Sequence, residues 1–167
     1  MHKLLLSVML ALALAVGSAA TAAASPNSYH DTVVGIETAP PLGDTSTFAG
    51  FAFGQLPGLW TASVNHGPLP TSPGGSAAIN SGSFVLKNSR SGVVGVFIQN
   101  STAITMLGSS PDGGFCTQTY RVADTLSLIA PTGSGSFDAI LTHYGFMVAG
   151  HCQVFFATVN GTVSLSF

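Results

Sequence analysis

The stretch from Cys152 to Phe167 constrains this chain more than any other. From Phe155 onward every second residue is apolar or small: Phe155, Ala157, Val159, Gly161, Val163, Leu165 and Phe167. The interleaved residues from Thr158 are polar: Thr158, Asn160, Thr162, Ser164 and Ser166. Side chains of a strand alternate between two faces, so a period of two predicts a strand with one buried and one wetted face. A strand of this kind needs neighbours on both edges and a core beneath it, and the rest of the chain supplies candidates for both.

Short runs of the same character recur between glycine and proline punctuation. Strands are expected over residues 30–37, 48–53, 59–64, 77–87 and 92–99. A short or kinked extension follows over 101–107, and one or two strands over 115–129, broken near Ala123-Asp124. A strand over 136–144 precedes the final one. Turns are expected at Leu56-Pro57-Gly58, at 88–91, at 108–114, at 131–135 and at 145–150. The stretch 38–45, with Pro40, Pro41 and Gly43, reads as a loop. Residues 65–75 hold Pro68, Pro70 and Pro73 with Gly67, Gly74 and Gly75. Proline cannot donate to a ladder, so this segment is expected to be a long surface loop. No window after Ala24 has helical periodicity. The prediction is an all-β fold, an antiparallel β-barrel of about eight strands. Closure also removes sheet edges, which few lysines or inward charges guard here. One internal echo, Ser81-Gly82-Ser83-Phe84 and Ser134-Gly135-Ser136-Phe137, pairs a glycine with a Phe two positions on.

The N-terminus sets the expected compartment. A basic start at Lys3 is followed by a largely apolar run of 13 residues from Leu4 to Val16, then by small residues ending in Ala22-Ala23-Ala24. This is the pattern of a secretory signal peptide from Met1 to Ala24, and the apolar run is too short to span a bilayer as a helix. The mature domain is then residues 25–167, a single β-barrel domain that is secreted or periplasmic. Cys116 and Cys152 are its only cysteines. In an exported chain an even count favours a disulfide, and their separation without a CxxC spacing argues against metal.

Charge excludes some functions. After residue 24 the chain has Lys87, Arg90 and Arg121 against Asp31, Glu37, Asp44, Asp112, Asp124 and Asp138. Nucleic-acid binding rests on neutralising phosphates with Lys and Arg, and this balance speaks against it. It speaks equally against a polybasic membrane site.

Chemistry-bearing motifs are sparse. His143 and His151 flank the last turn and could approach one another, with Asp138 nearby. Asp138, however, has the opposite strand parity to His143, so structural histidines are the simpler reading. No Gly-x-Ser-x-Gly elbow is present, and neither Gly74-Gly75 nor Gly113-Gly114 is followed by the Lys and helix of a phosphate loop. Asn100-Ser101-Thr102 and Asn160-Gly161-Thr162 fit the glycan acceptor pattern, although Asn160 falls mid-strand. No catalytic residue, metal site or cofactor is assigned. Trp60, beside the Pro/Gly-rich loop, is the candidate ligand-facing aromatic; the alternative is a core tryptophan.

The glycine-led strands Gly82-Ser83-Phe84, Gly92 to Ile98, Phe137 to Tyr144 and Cys152 to Phe167 resemble those of bacterial secreted proteins of the allene-oxide-cyclase-like or dirigent-like barrel group, over Ala77 to Phe167. That resemblance implies an eight-stranded antiparallel barrel with an apolar cavity. The plant cyclases of the group bind and shape a fatty-acid-derived epoxide, but their catalytic residues have no counterparts that can be placed here. The expectation is therefore an exported barrel of unassigned role that binds a small apolar ligand or is purely structural, with an isomerase or cyclase on the same barrel as one alternative. A second alternative is membrane association, because the alternating tail ending in Phe167 also resembles the terminal strand of outer-membrane barrels.

Overall fold

The computed structural model describes residues 26–39, 44–89 and 91–167, so the expected signal peptide with Ser25, Pro40 to Gly43 of the first loop and Arg90 lie outside the described residues. The rest is β-structure. Nine strands follow in order: β1 (Ser28–Ala39), β2 (Thr45–Gly54), β3 (Gly58–His66), β4 (Ser76–Lys87), β5 (Gly92–Phe97), β6 (Asn100–Asp112), β7 (Phe115–Ala130), β8 (Thr132–Val148) and β9 (His151–Ser166). Every pairing is antiparallel, and the sheet closes through β3–β4 into a barrel. The ring has eight positions because β5 and β6 share one. The second half of β4 pairs with β5 and its start pairs with β6, while β7 pairs with β6 first and β5 later. The kinked extension expected after residue 100 is therefore the second half of one stave, broken at Ile98-Gln99.

Several elements are longer than the turn residues suggested. β7 runs unbroken through Ala123-Asp124, and β6 and β8 reach Asp112 and Val148. β6 reverses into β7 and β8 into β9 through two-residue turns with positive φ, Gly113-Gly114 and Ala149-Gly150. Such turns match the right-handed twist of the flanking strands, so the strands continue to their edges. The loop expected over 65–75 begins at Gly67, because Asn65 and His66 complete β3.

The alternation of β9 is observed with one correction. Ala157, Val159, Val163 and Leu165 are buried, but Phe155 is 59% exposed. Tyr144 pairs with Phe156 and Gly145 with Val154, so Phe155 is an extra residue on β9. This bulge reverses the parity of what precedes it and turns both phenylalanines outward.

The interior is filled by side chains. Trp60, Phe84, Phe97 and Phe137 form an aromatic cluster with centroid separations of 5.9–6.4 Å. The echoed pair Phe84 and Phe137 thus meets in the core, 6.4 Å apart. The indole lies against Gly35, where an added Cβ would come within 2.5 Å of it, and its Nε1 donates to the Val34 carbonyl at 3.1 Å. Glycine at position 35 is needed because the tryptophan occupies the volume a side chain would take.

At one end β6 to β9 run on past β1 as a four-stranded extension. The Cys116–Cys152 disulfide staples it, with a Cα–Cα distance of 5.8 Å. Cys116 lies opposite Gly145 and Cys152 opposite Met147, so the bridge joins β7 to β9 across β8. A Cβ on Gly145 would approach the Cys152 sulfur to 2.8 Å.

Candidate functional site

Five polar side chains from five strands gather inside the barrel at the end that bears the extension. They are Glu37 near the end of β1, Ser46 at the start of β2, His66 at the end of β3, Tyr120 on β7 and His143 on β8. Each sits at an inward parity position, so the same alternation that builds the core delivers them. The 67–75 loop lies over them and is pinned in place. The Tyr120 hydroxyl donates to the Pro70 carbonyl at 3.3 Å, and Met106 exchanges backbone hydrogen bonds with Gly74 and Gly75.

Within the cluster, His66 Nδ1 is 2.7 Å from the Gly67 carbonyl oxygen. A carbonyl only accepts, so Nδ1 carries the proton. In the neutral ring Nε2 is then free to accept from the Ser46 hydroxyl, 3.3 Å away. The Glu37 side chain is 6% exposed, and its Oε2 lies 3.9 Å from His143 Nε2. Its Oε1 is buried with no hydrogen-bond partner. Burial raises the Glu37 pKa, while Ser46 and the nearby His66 pull it in the other direction. Burial lowers the His143 pKa to about 4, reinforced electrostatically by the neighbouring His66, so His143 is neutral at ordinary pH. Its ring packs on Tyr120 with centroids 5.3 Å apart, and burial raises the pKa of that phenol.

Glu37 also lines a groove of about 390 Å³ with Thr38, Ala39, Val154, Phe155, Phe156 and Ala157. The groove exists because the β1–β9 ladder ends at Ile36–Thr158. Beyond that pair β9 leaves with β8 into the extension while β1 bends with β2, tied by Thr38 to Thr47. The β9 bulge then sets two aromatic rings along the rim. The volume falls within the range of small-molecule sites. By contrast, the void at the barrel centre measures about 30 Å³, room for a water-sized body.

Trp60 is 1% exposed and lines that central void. It also lines a depression on the outer wall with Gly35, Gly50, Phe51 and Leu59. His143, His151 and Asp138 are not brought together. His143 points inward and His151 is exposed, while Asp138 faces outward in a bidentate pair with Arg121 at 2.6 and 3.0 Å. Among the described residues no group of three His, Cys, Asp or Glu side chains is placed to hold a metal ion. The remaining buried carboxylates are turn and wall elements. Asp31 accepts from the Leu56 amide at 2.9 Å, and Asp124 accepts from Thr125 N at 2.8 Å where β5 gives way to β6.

Sequence reading did not single out Glu37, Ser46, His66 or Tyr120. The one available signal was parity: in Val33-Gly35-Glu37 a carboxyl falls on the apolar side of an alternating strand. No family model matches the chain, and no curated protein or solved structure does so either.

Proposed function

We propose that this is an exported β-barrel protein that binds a small, mainly apolar molecule in the groove between the end of β1 and the start of β9. One observation carries this reading: a 390 Å³ groove that is flanked by two outward phenylalanines and lined by Glu37, whose inward carboxyl has one oxygen buried without a partner. A buried polar atom without a hydrogen bond costs about 1–3 kcal/mol, and a bound molecule would supply what the protein does not. The disulfide is compatible with an oxidising compartment, and the N-terminal sequence pattern supports export. The architecture accords with the resemblance to allene-oxide-cyclase-like barrels, but the ligand is placed at the rim because the barrel centre is filled. Support over the outer-membrane alternative comes from the distribution of polarity. Membrane barrels keep a polar lumen, whereas here the aromatic cluster fills the middle of the barrel, polar side chains gather at one end only, and the outer wall carries the Arg121–Asp138 pair beside exposed Phe51, Phe53 and Leu59.

Titration of the purified protein with the neutral dye Nile red is the test. Saturable binding that Phe155→Ser and Phe156→Ser weaken is the expected result. Binding that ignores both substitutions would place the site elsewhere.

A second reading, an isomerase on the same groove, is favoured by the inward Glu37 carboxyl of raised pKa, which can exchange a proton with a bound carbon acid. Deuterium uptake from D2O next to the carbonyl of 2-octanone would be followed by NMR. A rate no greater with the wild type than with Glu37→Gln would end that reading.

A further inference from the structure

We propose that the groove is built for an apolar amine, whose ammonium group pairs with Glu37 while its hydrocarbon body lies against Phe155 and Phe156. The inference rests on the groove reading above and names the ligand class it leaves open.

The argument starts from what surrounds Glu37. Its side chain is 6% exposed and its Oε1 is unpartnered. Ser46 from β2, His66 from β3 and His143 from β8 face it, and Tyr120 from β7 packs behind His143. None of these is a fixed cation. Among the described residues the only Lys and Arg side chains are Lys87 and Arg121. Lys87 sits at the far end of β4, opposite Leu59, and Arg121 is on the outer wall, held by Asp138. Among the described residues the carboxyl group is therefore buried beside polar side chains with no Lys or Arg to pair with it. An ionised carboxylate is expensive to bury without a partner.

A ligand removes that cost in proportion to how well it matches. A hydroxyl gives Oε1 one neutral hydrogen bond. An ammonium group gives a charge-assisted bond and the missing positive charge, which is the stronger interaction in a site of low dielectric. The rim adds to this, since a cation near the face of an aromatic ring is attracted by its quadrupole. A carboxylate head would meet Glu37 as a like charge and be rejected.

Proton linkage supplies a second signature. Burial raises the Glu37 pKa, so in the free protein part of the population holds a proton that an ammonium ligand must displace. Alkylamines stay protonated well above neutrality, as lysine does with a pKa of about 10.4. Amine affinity should therefore rise with pH while alcohol affinity stays nearly level.

The experiment is calorimetric titration of the disulfide-intact protein with n-octylamine, octan-1-ol and octanoate at about pH 5 and about pH 8. At the higher pH the amine should bind roughly tenfold or more tighter than the alcohol, and octanoate most weakly. The advantage of the amine should shrink at the lower pH. Glu37→Gln should abolish the advantage and leave octanol binding in place, and Phe155→Ser should weaken amine and alcohol together. Equal affinity for amine and alcohol in the wild type overturns the amine assignment while leaving groove binding intact. So does an advantage that survives Glu37→Gln. Failure of all three probes to bind, or indifference to Phe155→Ser, overturns the groove reading itself. Should the Glu37 variant not fold, the pH dependence of the wild-type amine-to-alcohol ratio decides alone: a level ratio refutes the proposal.

Discussion

Glu37 and His143 lie 3.9 Å apart with opposite proton preferences, and this makes the stability of the protein a two-sided function of pH. His143 has its pKa lowered by burial to about 4 from 6.5. Between those values the unfolded chain binds the proton that the folded chain refuses. The contribution of His143 is complete above about pH 6.5 and is lost as pH falls toward 4. A shift of that size corresponds to about 3 kcal/mol at most. Glu37 acts in the reverse sense. Its pKa is raised by burial, so the folded state holds a proton the unfolded state has released, and stability declines as pH rises past the ordinary carboxylate range. Urea unfolding across pH separates the two. His143→Phe keeps a ring against Tyr120 and should flatten the acid limb. Glu37→Gln removes the ionisation of a buried carboxyl and should raise stability at pH 8 while changing nothing near pH 4. An unchanged acid limb in His143→Phe would show that another group drives acid unfolding.

At the scale of elements, the disulfide and the glycine beneath it make the extension a unit distinct from the barrel. The bridge joins β7 to β9 over Gly145 and closes a loop with a sequence separation of 36. The chain-entropy model gives such a loop roughly 4 kcal/mol. Replacing both cysteines by serine should therefore cost up to about that amount. The larger effect should be local: amides in 115–119 and 144–156 should exchange much faster while those of β1 to β4 keep most of their protection. Hydrogen exchange read residue by residue checks this, and a uniform loss across all nine strands would count against a separable extension. The disulfide was legible in the sequence from two cysteines in a chain expected to be exported, and most strands were legible from their alternation. Two kinds of feature were not. Turn residues do not reveal how far a strand runs before it reverses, so β6 and β8 were read as ending short of Asp112 and Val148. A bulge leaves no signature in a run of apolar residues, and Phe155 was placed on the wrong face for that reason. The site was hidden for a related cause. Glu37, Ser46, His66 and His143 are separated by whole strands, and only the barrel register brings them together.

At the scale of the whole molecule, the architecture depends on a seam between the first and last strands rather than on any local hairpin. β1 pairs with β9 from Ser28–Ser166 to Ile36–Thr158, and Asn27 and Phe167 exchange backbone hydrogen bonds of 3.0 and 3.1 Å at its margin. Tyr29 stacks on Phe167 with ring centroids 4.8 Å apart, covering the core at that end. If this seam holds the barrel closed, the order in which the chain supplies its staves is immaterial. Residues 27 and 167 are adjacent in space, so a short Gly/Ser linker can join them without strain, and circular permutation is tolerated where ends are close and the new break falls in an exposed turn. The β4–β5 turn at 88–91 suits the break, although it would give up the hydrogen bonds between Asn88 and Ser91. A permutant of residues 26–167 opened there should fold to the same barrel, form the same disulfide and unfold within about 1–2 kcal/mol of the parent. The residual loss reflects one turn and a longer loop to close. Phe167→Ala in the same background should cost more than the permutation, about 3 kcal/mol or somewhat less for a partly buried ring, because it strips the seam of its aromatic cover. A permutant that stays unfolded while Phe167→Ala is silent would mean that closure is set by the β4–β5 hairpin and not by the β1–β9 ladder.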